Sequence, residues 1–310
     1  MKRLALLVFL IILLKAATAL AQPISGTISS AATHAALPYV NIGVVGKDLG
    51  TVSTEQGLYK MPFREALAND TVRVSSVGYR TRLLTLRALL AQPDVALAPE
   101  SVSLREVQVQ GKSLFRRSVT LGNTGNSETS TLSLKTKNPG TGMGTVISLK
   151  HKPTRLLTAN FNVAFNKIGP LALRVNLYRL DAKGRPTNEK LLHRDIIVTS
   201  EIQKGTISVD LAPERLVVAQ DFFLAVEYIR NGEVAEGLAV GPTQLKTRVY
   251  RSTAEAVAAQ EGLAFSLSLG YANNDLYLRN TSQGAWERAS VGAVLLGMQP
   301  RISFFVTAQD

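Results

Sequence analysis

Apolar and polar residues alternate one by one along much of the chain after residue 129. The clearest run places apolar side chains at alternate positions, Leu157, Ala159, Phe161, Val163 and Phe165. Because successive side chains of a β-strand point to opposite faces, this spacing predicts strands with one face in a core. Similar runs recur at 171–177, 207–211, 263–269 and 301–308. About ten such strands predict an all-β fold, with a larger jelly-roll-like antiparallel sandwich over residues 129–310.

Residues 22–110 show shorter β runs separated by glycine-containing turns, which predicts a second, smaller sandwich. Four motifs follow one another here: Ile24–Ile28, Leu37–Ile42, Gly50–Tyr59 and Val74–Tyr79. In this order they resemble the carboxypeptidase-like regulatory domain of exported Bacteroidetes proteins, a prealbumin-like β-sandwich. Residues 102–109 resemble the strand that often closes such modules. The resemblance implies a non-catalytic appendage, and the sandwich that follows resembles the C-terminal sandwich of some proteins that carry it.

Three other segments complete the predicted organisation. Residues 111–128 are polar and contain several glycines, which predicts a linker or an irregular entry to the larger sandwich. Ser252 with Glu255 forms a capping box, so a helix is expected there, ending near Gly262. A single helical turn is expected at 63–68.

The first 21 residues have the pattern of a secretory signal peptide. A short basic start precedes eleven apolar residues, Leu4–Leu14, and Ala19-Leu20-Ala21 fits a cleavage site before Gln22. A retained N-terminal anchor is the alternative. The chain has no cysteine, which excludes disulfides, thiolate metal sites and a lipoprotein anchor. We therefore expect an exported protein of the periplasm or cell surface, with no transmembrane segment in the mature chain.

No catalytic constellation is found, so we expect no enzyme activity, no catalytic or metal-binding residues and no cofactor. His34, His151 and His193 lack ligand spacing. The segment 140–145 has the glycines of a phosphate loop but not its lysine, which favours a β-turn. Glu227 lies in an apolar strand, where it could face solvent, pair with an arginine or line a cleft. Asp195 is expected at a solvated strand end.

Positive charge is concentrated in the middle of the chain. Residues 101–194 contain 16 basic and 4 acidic side chains, whereas the remainder of the chain after the signal peptide is nearly balanced or acidic. Such a region attracts polyanions, and a solvated sheet face is the alternative interpretation. The candidate polyanion-binding residues are Arg116, Arg117, Lys135, Lys137, Lys150, Lys152 and Arg155.

Two aromatic residues are candidates for stacking on a sugar. Tyr277 alternates with Leu276 and Leu278, so we expect its ring to point outward, and Trp286 follows a turn at Gly284. Capping of a core is the alternative role for both.

The leading hypothesis is an exported, non-catalytic protein of the cell envelope whose regulatory-like module carries an interaction domain. A carbohydrate or envelope-glycan binding protein and a divergent hydrolase are the alternatives. The partner is unknown, with an envelope glycan or another envelope protein as candidates, and a dedicated nucleic-acid ligand is not expected.

Overall fold

The computed structural model describes residues 23–100, 115–136, 138–229, 252–258, 260–271, 275–289 and 298–310. The predicted signal peptide, the predicted closing strand at 102–109 and Lys137 lie outside the described residues. No helix within these ranges is long and apolar enough to cross a membrane.

Two small sheets enclose the first hydrophobic core. One has the strand order β4-β1-β7 and the other β3-β2-β5-β6, with all neighbours antiparallel except β1 and β7, which are parallel. We call this unit the N-terminal sandwich. Its strands are β1 (Pro23–Ser30), β2 (Asn41–Val44), β3 (Gly50–Val52), β4 (Leu58–Pro62), β5 (Thr71–Ser75), β6 (Arg82–Thr85) and β7 (Val95–Leu97).

Helical structure in this unit is brief. The expected turn is a 3-10 helix at Glu65–Leu67, whereas helix α1 (Leu86–Ala91) was not predicted. Thr85 caps α1 by accepting a hydrogen bond from the Ala88 backbone N–H at 3.1 Å. Leu86 and Leu89 of α1 are buried in the same core as the strands.

Two larger antiparallel sheets enclose the second core, and we call this unit the C-terminal sandwich. Among the described residues, one sheet has seven strands in the order β13-β12-β17-β10-β19-β20 with β14 beside β12. The other has eight, in the order β21-β18-β11-β22-β8, with β15 and β16 beside β11 and β9 beside β18. The strands are β8 (Ser118–Gly122), β9 (Thr131–Leu134), β10 (Gly142–Ile147), β11 (Thr154–Asn166), β12 (Leu171–Leu180), β13 (Pro186–Lys190), β14 (Ile196–Ser200), β15 (Gly205–Asp210), β16 (Val217–Val218), β17 (Phe222–Ile229), β18 (Leu263–Gly270), β19 (Leu276–Arg279), β20 (Glu287–Arg288), β21 (Gln299–Ile302) and β22 (Phe304–Gln309).

The all-β fold class is thus confirmed, and the alternating runs become β11, β12, β15, β18 and β21–β22. A 3-10 helix lies at Ala212–Glu214, and the predicted capped helix is α2 (Thr253–Ala258), where the Glu255 N–H donates to Ser252 Oγ at 3.1 Å.

Two local predictions were wrong. Residues 118–122, expected in a linker, form β8 at the sheet edge, because Val119 and Leu121 alternate into the core. Leu157 was expected to face the core, but a bulge between Leu156 and Thr158 shifts the register of β11 against β22. Leu156 is the fully buried residue instead. A bulge inserts one residue and reverses the alternation beyond it, which a regular period cannot reveal.

Phe304 anchors the core between the two large sheets. Its ring meets Phe161 at 4.9 Å and Phe265 at 5.0 Å between centroids, both edge to face. We expect Phe304→Ala to lower the free energy of unfolding by about 3–5 kcal/mol, because a cavity replaces a fully buried ring. Urea denaturation measures this change. Phe305→Ala, on the opposite and partly exposed face of β22, is the matched control, and equal losses in both variants would contradict the assignment.

Candidate functional site

A row of charged residues crosses the outer face of the seven-stranded sheet. Four neighbouring strands each contribute one residue to this row. Arg174 of β12 pairs with Glu227 of β17. On the other side of β17, Glu227 pairs with Gly142 of β10, and Gly142 pairs in turn with Arg279 of β19. The neighbours of Arg174 along β12, Leu173 and Val175, face the core, so the alternation places Arg174 on the other face. The sheet therefore brings two arginines to either side of one glutamate.

Both oxygens of Glu227 are held by cations. Arg174 donates from Nη1 to Oε1 at 3.2 Å, and Arg279 donates from Nη2 to Oε2 at 2.9 Å. Asn176 adds a hydrogen bond to Oε2 at 3.3 Å. Asp195, just before β14, lies 3.4 Å from Arg174 Nε. We call Arg174, Asp195, Glu227 and Arg279 the junction cluster. Of the alternatives for Glu227, the structure selects pairing with arginine.

Arg174 also reaches into the N-terminal sandwich. Its Nη1 donates to Asn41 Oδ1 at 2.6 Å, and its Nη2 donates to the backbone carbonyl of Tyr39. Tyr39 has φ of +56°, a left-handed conformation that is uncommon outside glycine. Asn41 is the first residue of β2, and Tyr39 lies two residues before it. One guanidinium therefore joins the two sandwiches.

A second contact lies beside the junction cluster, where the turn at 280–284 after β19 meets the loop between β2 and β3. Asn280 donates to Asp48 Oδ2 at 2.9 Å, and the Gly46 N–H donates to the Gln283 carbonyl at 3.1 Å. Gln283 also donates to Ser75 Oγ at 3.1 Å. A Cβ on Gly43 would lie 3.1 Å from Gln283 Cβ, so glycine permits this close approach. The contact buries Gln283 and its neighbours between the sandwiches.

The charges of the cluster are paired away from solvent. Arg174 and Glu227 are both 0% exposed. Burial alone lowers the pKa of Arg174, but the Glu227 and Asp195 carboxylates outweigh it and raise that pKa above its usual value. Burial raises the pKa of Asp195, but Arg174 and Lys190 outweigh it and hold that pKa below its usual value. Lys190 Nζ lies 3.0 Å from Asp195 Oδ1. Asp195 is therefore a structural partner of two cations rather than a solvated strand end.

Glycine on β10 makes room for the row. A Cβ on Gly142 would lie 3.1 Å from the Trp286 ring and 3.3 Å from Arg279 Nε. Arg279 thus passes over the β10 backbone to reach Glu227, with its guanidinium 4.4 Å from the Trp286 ring centroid. The glycine-rich segment expected to form a β-turn is a turn only over 138–141, because the residues that follow form β10.

The expectation that the Tyr277 ring is open for stacking was wrong. Its side chain does lie on the outer face, but it is 3% exposed and packs edge to face on Phe223 at 5.7 Å. Trp286, which is half-buried, contacts Phe223 and Tyr178. These aromatics form a second apolar layer over the sheet, so Tyr277 presents no open ring for a sugar. The alternation could not reveal this because both faces of the sheet are covered.

The predicted polyanion-binding residues do not form one patch. Lys135 is partly buried near the junction, where it donates to Asn280 Oδ1 at 3.4 Å. Burial lowers the pKa of Lys135, partly opposed by the nearby Asp48. The other described candidates are exposed and lie near the starts of β8 and β11. These residues are Arg116, Arg117, Lys150, Lys152 and Arg155.

The three histidines, His34, His151 and His193, are all exposed. Within the described ranges, no three acidic or histidine side chains are grouped in a way that could hold a metal ion.

The fold and the junction define a two-sandwich all-β protein whose units are joined by buried charge. The family model of the CarboxypepD_reg-like domain matches residues 24–109, which confirms the resemblance of the N-terminal module. No curated protein and no solved structure matches the chain.

Sequence reasoning singled out Glu227 but missed its partners. Arg174 and Arg279 each lie in a strand where apolar and polar residues alternate. An arginine at a polar position of such a strand usually faces solvent. An available indication was Asn176 two residues after Arg174, since it places a second polar group on the same face.

We expect Arg174→Gln to lower the free energy of unfolding by about 3–5 kcal/mol, because it leaves Glu227 and Asp195 as incompletely paired buried charges. Urea unfolding of the full chain measures this loss. Arg179→Gln is the matched control: it lies on the same strand and pairs with Glu189, but both side chains are more than half exposed. The control should lose about 1 kcal/mol or less. A similar loss in both variants would contradict the role of the junction.

The lowered pKa of Asp195 makes stability depend on pH. Its ion pairs stabilise the fold fully above its ordinary pKa of 3.8, and this contribution is lost as the pH falls through the lowered pKa of the folded state. Asp195→Asn should therefore be less stable than the unmodified chain at neutral pH, and the difference should shrink in acid. Thermal unfolding between pH 7 and pH 2 measures it. A difference that stays constant across this range would show that folding does not lower the pKa of Asp195.

Proposed function

We propose that the protein is an exported, non-catalytic component of the cell envelope, in which a regulatory-like module is fixed to a sandwich that presents an interaction surface. The family match favours an accessory role for the module, since a domain of this family does not imply an enzymatic activity. The sequence pattern of residues 1–21 supports export.

The observation that carries the non-catalytic proposal is the environment of Glu227. A general acid or nucleophile must reach the substrate, and its pKa must suit that role. Glu227 is fully buried, and both of its oxygens are engaged by arginines. Its ion pairs hold Arg174, which contacts the N-terminal sandwich, so the carboxylate best placed for chemistry serves the architecture.

Export is tested in cells of the source organism or a bacterial host. The mature protein should be found outside the cytoplasm, with Gln22 as its N-terminal residue by mass spectrometry. Leu7→Arg interrupts the apolar run and should leave an uncleaved chain in the cytoplasm. A cytoplasmic, full-length wild-type chain would contradict the proposal.

The absence of catalysis is tested on purified mature protein with panels of peptides and glycans. We expect no turnover above buffer. Reproducible hydrolysis that is lost in a folded Glu227→Gln variant would overturn the proposal and favour the divergent hydrolase.

A further inference from the structure

Five exposed basic residues converge at one end of the C-terminal sandwich, and we call them the basic end. Arg116 and Arg117 precede β8, Lys150 and Lys152 lie in the loop between β10 and β11, and Arg155 is near the start of β11. They come from two stretches of the chain, 116–117 and 150–155, which the fold brings to the same end of one sheet.

The last strand of the sheet aligns these segments. The N–H groups of Arg116 and Arg117 donate to the Asp310 carbonyl at 3.3 and 3.2 Å. Gln309 lies opposite Arg155 on one side and opposite Ser118 on the other. The backbones of Arg117 and Arg155 therefore flank the end of β22, on strands roughly 10 Å apart, which is twice the spacing of neighbouring strands.

Three of the five cations of the basic end lack an ion pair within the part of the chain that the structure describes. Arg117, Lys150 and Arg155 form no ion pair with any described residue. Lys152 lies 3.6 Å from Asp221, an exposed pair that neutralises little.

Arg155 is held in place by an aromatic ring. Its guanidinium lies 4.6 Å from the centroid of Phe115, and this ring is itself only partly exposed. A cation that stacks on a ring has fewer conformations to lose when it binds an anion. The ring is covered by the guanidinium, so it is not open for stacking on a ligand.

The basic end lies opposite the junction. β10 begins at Gly142, in the row of the junction cluster, and ends at Ile147, three residues before Lys150. At about 3.3 Å per residue, the strand separates the two regions by roughly 20 Å. The surface is therefore distant from the docked N-terminal sandwich.

We propose that the basic end binds an acidic polysaccharide through its carboxylate, phosphate or sulfate groups. Cations spread over two stretches of the chain suit charges repeated along a polymer. Insertion into a membrane needs protruding apolar side chains, and none of the large exposed hydrophobic residues belongs to this group. Single-stranded nucleic acid needs open aromatic rings, and Phe115 is covered. Only the biological setting of this ligand rests on the proposed envelope location.

The test measures binding of the purified mature protein to fluorescently labelled heparin by anisotropy, over a range of salt concentrations. The variant carries Arg117→Gln, Lys150→Gln and Arg155→Gln. The control carries Arg64→Gln, Arg80→Gln and Arg82→Gln, three exposed residues of the N-terminal sandwich with the same total charge change. Circular dichroism verifies that both variants fold.

We expect salt-sensitive binding that the patch variant weakens by roughly tenfold or more, with a salt dependence reduced by about two to three counterions. The control should bind like the unmodified protein. Equal weakening in both variants would show that net charge alone is responsible and would overturn the proposal. No binding to heparin, or tighter binding to phosphatidylglycerol vesicles or single-stranded DNA, would also overturn it. Because binding is measured in vitro, its failure is distinct from a failure of export.

Discussion

The relative position of the two sandwiches depends on one buried guanidinium group. Arg174 has five N–H donors and no exposed surface, so it must find acceptors within the protein. Its acceptors are Asn41, the Tyr39 carbonyl and Glu227, with the Asp195 carboxylate as a further ion-pair partner at 3.4 Å, and these groups come from both sandwiches. Removing an arginine from water is costly, and the cost is offset only when all these partners are in place.

This dependence explains several features that look unrelated in the sequence. Gly142 lets Arg279 lie across β10, and Gly43 lets Gln283 lie against β2. Tyr39 adopts its left-handed conformation where its carbonyl accepts from Arg174. Each of these residues supplies space or an acceptor for the same junction. The regulatory-like module is thus packed against its neighbour over specific polar groups and is not simply tethered to it.

Much of the fold was predictable because it depends on local periodicity. The alternation in β11 and β12 and the capping pair Ser252 and Glu255 require no knowledge of distant residues. The junction cluster depends on the pairing of distant strands, which periodicity does not specify. Arg174 and Glu227 are 53 residues apart and meet only through the register of β12 and β17. Tyr277 was misassigned for a related reason, since alternation shows which face a side chain takes but not what covers that face.

The position of the junction at one end of β10 has a mechanical consequence. The opposite end of the same strand leads to the surface loop that carries Lys150. A tensile force between the N-terminal sandwich and that loop would act along the strand. The hydrogen bonds of β10 to β17 and β19 would then be loaded in shear. In this geometry several bonds resist the force together, whereas a force across the strand would break them one after another from an end. Such a geometry transmits tension through the sheet with little extension.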